Sequence, residues 1–194
     1  MTKRVILGSA SPRRRELLAQ IGINFDVLVS GGEERYTSTE PEEIVKELAL
    51  AKAENVSAVL EEKASCLVIG ADTIVVLDGE ILGKPKDEED AFRMLKSLQG
   101  RAHQVYTGTA LLDYDTEGMK NVTRHAECTE VFVHAMTDAE IRQYISTGEP
   151  MDKAGGYGIQ GRFAVYIDRI EGDYYNVVGL PVAYLYQQLK ILGV

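Results

Sequence analysis

The sequence has few cysteines and no long apolar run, and these absences argue against two classes of protein. Only two of its 194 residues are cysteines, Cys66 and Cys128. Both lie within apolar or alternating stretches, so we expect buried, reduced thiols and not a disulfide framework or a metal site. No apolar stretch approaches the roughly 20 residues of a transmembrane helix, and Met1–Leu7 lacks the layout of a signal peptide. The expected location is therefore the cytoplasm.

Several catalytic patterns and one class of partner are also missing. The sequence has no Gly-Lys-Ser/Thr phosphate loop, no Ser-His-Asp order, and no shared spacing among its three histidines that would suggest a metal site. The formal net charge of −9 disfavours binding to a nucleic acid, because an acidic surface repels polyanions. A small anionic substrate can still bind where cations are concentrated in one cleft.

Strand and helix patterns alternate along the whole chain. This alternation predicts an α/β fold, or an α+β fold with a mixed sheet. Capping boxes at Thr39–Glu42 and Thr137–Glu140 predict two helix starts, and Asp78-Gly79 predicts a hairpin turn. A strand pair is predicted on either side of Glu171–Asp173. No linker interrupts the sequence, so we expect one domain over residues 1–194.

A basic turn follows the first predicted strand. Ser11 suits the N-cap of a helix, and Pro12 suits its first position. The first turn of a helix usually carries acidic residues, but here it carries Arg13, Arg14 and Arg15. Because a helix N-terminus attracts anions, this turn suits a polyphosphate ligand. A solvated basic turn without a ligand explains the pattern equally well.

Three further charged residues stand in unusual surroundings. Asp72 lies between two apolar runs, where a carboxylate must be paired, bound to a metal or functional; a structural turn aspartate is the alternative. Lys52 lies on the same helical track as four apolar residues, so its side chain either reaches a site or extends to solvent. Lys84 is either a site residue or an ordinary turn lysine. The apolar residues of the track are Val45, Leu48, Val56 and Val59.

A glycine-rich segment spans residues 155–161 and contains Gln160. Its glycines permit a close approach of the backbone to a ligand, and the Gln160 amide can pair with the edge of a nucleobase. A flexible connecting loop is the alternative interpretation.

These segments, in this order, resemble the Maf family of nucleotide pyrophosphatases. The resemblance covers nearly the whole chain, and the ordered set is far more specific than any one motif. The matching segments are Ser9-Ala10-Ser11-Pro12-Arg13-Arg14, Gly70-Ala71-Asp72-Thr73, Gly83-Lys84-Pro85, Asp152-Lys153-Ala154-Gly155, Tyr157-Gly158-Ile159-Gln160-Gly161 and Val178-Gly179-Leu180-Pro181.

The resemblance implies an activity and a set of site residues. It implies hydrolysis between the α- and β-phosphates with Mg²⁺ or Mn²⁺, and a homodimer whose mixed sheet and flanking helices form two lobes around a central cleft, as in inosine triphosphate pyrophosphatases. Asp72 would be the general base or a metal ligand, and Glu34 the second acidic residue. The form of the loop at Gln160 resembles the subgroup that acts on dTTP and UTP rather than on 7-methyl-GTP. The remaining implied residues hold the triphosphate (Ser11, Arg13, Arg14, Lys52 and Lys84) or set base choice (Arg13, Thr73 and Gln160).

Two other functions stay open at this point. The protein could be a nucleotide-sensing regulator of septum formation with little turnover, although a sensor would not need a carboxylate aimed at phosphate. It could also be a pyrophosphatase for purine nucleotides such as ITP or XTP. A housecleaning enzyme for pyrimidine triphosphates, with a possible link to cell-division arrest, is the favoured hypothesis.

Overall fold

The computed structural model describes residues 3–32 and 35–194. Strands and helices alternate through these residues, and three short 3-10 turns lie within residues 149–166. The strands are β1 (Arg4–Leu7), β2 (Asp26–Val27), β3 (Cys66–Leu77), β4 (Glu80–Leu82), β5 (Ala102–Tyr114), β6 (Lys120–Val133) and β7 (Ile167–Glu171). The helices are α1 (Pro12–Gln20), α2 (Pro41–Ala58), α3 (Glu88–Leu98), α4 (Asp138–Ile145), α5 (Tyr174–Val178) and α6 (Val182–Ile191). The 3-10 turns are Glu149–Asp152, Ala154–Gly156 and Arg162–Tyr166.

One mixed sheet joins the seven strands in the order β2-β1-β3-β5-β6-β7, with β4 paired to β3. Strand β1 runs parallel to both β2 and β3, whereas β3–β4 and β6–β7 are antiparallel. Strands β1 and β3 are almost continuously apolar and buried, as is usual for strands covered on both faces. The predicted mixed α/β class is confirmed.

The chain divides into two compact units. Unit 1 comprises Met1–Asp72, Thr107–Glu127 and Gly179–Val194, and unit 2 comprises Thr73–Tyr106 and Cys128–Val178. The chain passes from one unit to the other within β3, β5 and β6, so no linker separates the units in sequence. The single domain expected over residues 1–194 stays a prediction.

Unit 1 is built around a close contact between α2 and the sheet. A Cβ atom on Gly70 of β3 would lie 2.2 Å from the carbonyl oxygen of Ala49, and one on Gly108 of β5 would lie 2.1 Å from that of Val45. The two glycines therefore let the helix backbone rest directly on the strands. The core beside this contact consists of Ile6, Ala49, Ala53, Val56, Cys66, Val68, Ala110, Leu112 and Tyr114.

Unit 2 has its own apolar core. Helices α3 and α4 pack there against buried residues of β3, β5 and β6, and against Tyr157 and Phe163. The Asp87 side chain caps α3 by accepting from the Asp90 amide. Thr137 and Glu140 form the predicted capping box of α4.

Three further predictions concern a hairpin turn, a capping box and a strand pair. The first is confirmed, the second is wrong, and the third is wrong in part. The Asp78-Gly79 turn is confirmed, since both residues have positive φ, 53° and 82°, and β3 and β4 flank it. The capping box at Thr39–Glu42 is wrong, because Pro41 takes the first helical position and makes Glu40 the N-cap. The strand pair around Glu171–Asp173 is wrong in its second half. There the Asp173 carboxylate accepts from the Tyr175 amide, and α5 follows.

The two cysteines differ in exposure. Both are free thiols; Cys66 is buried as expected, but Cys128 is exposed, which contradicts the prediction of two buried thiols. In the alternation of β6 the side chain of Cys128 falls on the outward side, while its neighbour Thr129 is buried. Burial raises the pKa of Cys66. Across the described residues, no helix is both long and apolar enough to cross a membrane.

The contact between α2 and the sheet yields a test of stability. Gly108→Ala should lower the free energy of unfolding by about 2–4 kcal/mol, because the added methyl group displaces the helix backbone. Gly83→Ala is the control, since an added Cβ there meets no atom within 4 Å. Chemical denaturation of both variants measures the difference. Equal stabilities would contradict the close packing of α2.

Candidate functional site

The loop between β1 and α1 forms the first part of the site. The Gly8 amide donates to the carbonyl of Ile69 in β3 (2.8 Å), which continues the sheet pairing to the start of the loop. Ser11 is the N-cap of α1 with an extended backbone, and Pro12 takes the first helical position. The Ser11 side chain makes no capping bond, and the first turn carries no acidic residue. The predicted helix start is confirmed.

The three arginines of this turn have different surroundings. Arg14 is buried; its Nε donates to the carbonyl of Gly179 (2.8 Å), and its Nη1 donates to Ser9 Oγ (3.2 Å). Arg13 is half-buried, and the exposed Arg15 donates to the carbonyl of Ala10 (3.3 Å). Arg14 therefore fastens the segment before α6 to the loop before α1, in addition to any contact with a ligand.

An ion pair between α2 and β3 forms the second part. Lys52 Nζ lies 2.5 Å from Asp72 Oδ1, and the two side chains are 24% and 12% exposed. Asp72 stands within the buried run of β3, where a charge without a partner is costly. The close approach of α2 at Gly70 brings the lysine within reach. Each charge is compensated by the other, and both side chains keep some access to solvent.

The apolar track that accompanies Lys52 is confirmed in three of its four residues. Val45, Leu48 and Val56 are buried. Val59 is 57% exposed, because α2 ends at Ala58 and Val59 is its C-cap. Lys52 therefore reaches a carboxylate of β3 from α2, and its role in a site stays a prediction.

Three further residues predicted for the site, Thr73, Lys84 and Gln160, lie in unit 2. Thr73 continues β3 after Asp72 and is half-buried, and Lys84 follows β4 and is exposed. The carbonyl of Gly83 accepts from the Gly155 amide (3.0 Å), so the Lys84 segment is tied to the glycine-rich segment. Gly155 has φ +69°, and its Cβ would lie 3.0 Å from Val75.

Gln160 is presented by a four-residue turn. The Gly161 amide donates to the carbonyl of Gly158 (3.1 Å), which closes the turn and leaves the Gln160 side chain exposed. Just before the turn, Tyr157 is buried, and its hydroxyl lies 2.7 Å from Nε2 of His103. Burial raises the pKa of Tyr157 and lowers that of His103 to about 4. The glycine-rich segment is therefore ordered by specific contacts and is not simply a flexible connection.

The sequence matches a known protein family over nearly its whole length. The profile of the family described as Maf-like protein matches residues 4–192. The chain belongs to the Maf family. The resemblance of the ordered motifs to this family is thereby confirmed.

Relatives in the Maf family match this chain over almost its whole length. A dTTP/UTP pyrophosphatase of Agathobacter rectalis is 53% identical over 98% of both chains. One of Lachnoclostridium phytofermentans is 47% identical over 98% of this chain and 95% of its own. Among solved structures, the Ham1 protein of Staphylococcus aureus has a TM-score of 0.45 at 17% identity over 68% of this chain and 72% of its own.

The residues predicted for the site of this Maf family chain fall in both units. Within unit 1, α1 brings Ser11, Arg13 and Arg14 together at its start, and Lys52 contacts Asp72. Unit 2 holds Thr73, Lys84 and Gln160. Glu34 lies outside the described residues. Their roles as site residues stay predictions.

The sequence reasoning missed two residues that organise the Gln160 turn, Tyr144 and Glu149. Both hydrogen-bond to backbone amides at the ends of the turn. A tyrosine in a helix and a glutamate beside a proline carry no motif that would have revealed this arrangement. The only available signal was their position shortly before the glycine-rich segment.

The buried guanidinium yields a first test of this site. Arg14→Ala should lower the free energy of unfolding by about 2–4 kcal/mol, because it leaves the partners of a buried cation unsatisfied. Arg13→Ala, the matched control at the preceding position, should change stability by less than about 0.5 kcal/mol. Urea denaturation measures both. A larger loss in the Arg13 variant would overturn the assignment of Arg14 as the anchor.

The buried imidazole yields a second test, of pH dependence. Because the folded pKa of His103, about 4, lies below its ordinary value of 6.5, the unfolded chain takes up the proton first as the pH falls. Stability should therefore decline below about pH 6.5, and the contribution of His103 to that loss should reach about 3 kcal/mol near pH 4. His103→Gln should remove this contribution, as measured by denaturation at each pH, whereas the exposed His134→Gln should retain it. Identical pH profiles for wild type and His103→Gln would contradict the assignment.

Proposed function

We propose that this protein hydrolyses dTTP and UTP to the nucleoside monophosphate and diphosphate. The geometric observation that carries the proposal is the Lys52–Asp72 pair, a carboxylate held beside a cation in the buried part of β3. The relatives named dTTP/UTP pyrophosphatase, which match this chain over nearly its whole length, support the reaction and its substrates.

In this reaction a water oxygen attacks the α-phosphorus, and the bond to the oxygen that bridges the α- and β-phosphates breaks. Asp72 accepts the proton of the attacking water, which is the role of a general base. Lys52 holds the carboxylate in place and offsets its charge beside the anionic substrate. The diphosphate leaves with the electron pair of the broken bond.

Cationic side chains offset the negative charge of the triphosphate. We assign Arg13, with Ser11 and the amides at the start of α1, to the binding of phosphate oxygens, because a helix N-terminus favours anions. Arg14 holds this start in position through Gly179 and Ser9 and adds its positive charge. We also assign Lys84 to the binding of phosphate oxygens.

The residues fit a divalent cation of the Mg²⁺ or Mn²⁺ type. Within residues 3–32 and 35–194, no group of three His, Cys, Asp or Glu residues could hold a metal by itself. Mg²⁺ does not require such a group, since it commonly binds one or two carboxylates together with substrate phosphates and water. Glu34 is a carboxylate we assign to it. Asp72 would join Glu34 as a ligand in the alternative role that the resemblance implies, in place of the general-base role. When bound, such a cation polarises a phosphoryl oxygen and lowers the pKa of a bound water.

We assign base selection to Gln160, together with Arg13 and Thr73. Uracil and thymine share an imide edge, and an amide side chain offers a matching donor and acceptor. The 5-methyl group is hard to reject by packing, since it is worth only about 1–3 kcal/mol. One pocket is therefore expected to accept both dTTP and UTP.

The setting of the enzyme is part of the proposal. We propose a cytoplasmic housecleaning enzyme that acts on pyrimidine triphosphates, including modified ones, and that forms a homodimer. The acidic charge of −9 argues against a nucleic-acid partner. The nucleotide-sensing regulator of division and the ITP/XTP pyrophosphatase stay as alternatives, and the same experiment separates all three.

The decisive experiment measures diphosphate release by the purified protein with Mg²⁺ or Mn²⁺. The panel contains dTTP, UTP, CTP, GTP, ITP and 7-methyl-GTP. We expect a preference for dTTP and UTP. Asp72→Asn should lower kcat by about 10²–10⁴-fold, because it removes the proton acceptor while keeping the size of the side chain. Asp78→Asn, the same change in an exposed turn, should leave kcat unchanged.

Each other outcome points to an alternative. A preference for ITP or GTP would keep the reaction class and overturn the assignment of Gln160 to pyrimidine bases. Triphosphate binding without release would support the regulator. Full activity in Asp72→Asn would remove Asp72 from the chemistry.

A further inference from the structure

Glu149 sits against the turn that carries Gln160. It begins the 3-10 turn after α4 and is half-buried. Its Oε2 accepts from the backbone amide of Arg162 (3.0 Å), the residue directly after the turn. Its Oε1 accepts from the hydroxyl of Tyr144 (2.9 Å). The carboxylate thus joins the exit of the Gln160 turn to a side chain of α4.

Tyr144 holds the other end of the same turn. Its side chain is buried in the core of unit 2, and its hydroxyl accepts from the backbone amide of Gly158 (3.4 Å), the first residue of the turn. Burial and the hydrogen bond to Glu149 raise the pKa of Tyr144, so the hydroxyl keeps the proton that it donates. One continuous set of hydrogen bonds therefore runs from Gly158 through Tyr144 and Glu149 to Arg162.

Two glycines leave room for this arrangement. A Cβ on Gly161 would lie 2.1 Å from Glu149 Oε1, although the backbone of Gly161, with φ −94°, is open to any residue. A Cβ on Gly158 would lie 2.8 Å from Cε of Lys153, whose Nζ donates to the carbonyl of Glu149 (2.8 Å). Side chains from the Glu149 segment thus lie directly against the turn backbone, and Gly161 is required by space and not by conformation.

The geometry points to Glu149 and Tyr144 as positioning residues for base selection. They fix the two ends of the Gly158–Gly161 turn and thereby the direction in which Gln160 presents its amide. Neither residue is assigned a contact with substrate. The inference rests on the proposed function, because it takes Gln160 to be the residue that reads the base.

A positioning role predicts a specific kinetic pattern. A turn that is no longer fixed weakens an interaction made alike with bound substrate and with the transition state, so KM should rise while kcat changes little. Discrimination between UTP and CTP should fall, because a mobile amide no longer enforces one pattern of donor and acceptor. Loss of general stability would instead lower activity on every substrate alike.

The test compares kcat/KM for UTP with that for CTP in a double-mutant cycle. Glu149→Ala should reduce this ratio by about tenfold, the effect of losing one well-placed hydrogen bond to a charged group. Gln160→Ala should reduce it as well. The double variant should match Gln160→Ala alone, since the position of the turn has no effect on base choice once the Gln160 amide is gone. Glu149→Gln should restore part of the ratio, because its amide can still accept from the Arg162 amide.

Three further variants keep the test informative if Glu149→Ala folds poorly. Tyr144→Phe removes only the hydroxyl and should lower the ratio in the same direction. Gly161→Ala should have the same effect, because its methyl group displaces the carboxylate. Glu89→Ala, which removes an exposed glutamate paired with Arg142 in the same unit, should match the wild type.

Failure of the positioning role and failure of the proposed function give different results. Additive effects of Glu149→Ala and Gln160→Ala, or an unchanged UTP/CTP ratio with equal losses of kcat on both, would overturn the positioning role. A wild-type protein that releases no diphosphate would overturn the proposed function, and this inference with it, before any variant is compared.

Discussion

The direct contact of the α2 backbone with β3 and β5 is the constraint on which unit 1 depends. Gly70 and Gly108 bring the helix so close that its carbonyl oxygens occupy the space of a side chain. At this distance a lysine on the inner face of α2 reaches a carboxylate in the middle of β3. With a wider spacing Asp72 would be a buried charge without a partner, which is costly, and the strand could not tolerate it. The close packing at the two glycines therefore also places the Lys52–Asp72 ion pair.

Much of the fold followed from local patterns. Pro12 and the Thr137–Glu140 box predicted two helix starts, because capping depends on residues that are adjacent in sequence. The errors arose where two local signals competed. At Thr39–Glu42 the proline outweighed the box, and at Asp173 a capping aspartate outweighed the alternation that suggested a strand. The exposure of Cys128 depended on which side of β6 faces the core, which is a tertiary property.

The candidate site shows the same division between local and tertiary information. Asp72, Lys52 and the arginines were visible because charged residues in apolar or unusual surroundings stand out in a sequence. Their separate roles were not visible. The sequence presents Arg13, Arg14 and Arg15 as equivalent, whereas contacts with Gly179 and Ser9 distinguish the second from its neighbours. No motif marks Glu149, because its contact is with a backbone amide 13 residues later.

The division of the chain into units has a consequence for how parts of the protein can be exchanged. The backbone passes between the units four times, after Asp72, Tyr106, Glu127 and Val178, and three of these crossings fall within strands. Neither unit is a contiguous stretch, so no single cut or fusion exchanges one of them as a module. Recombination of whole segments would interrupt the strands that both units share.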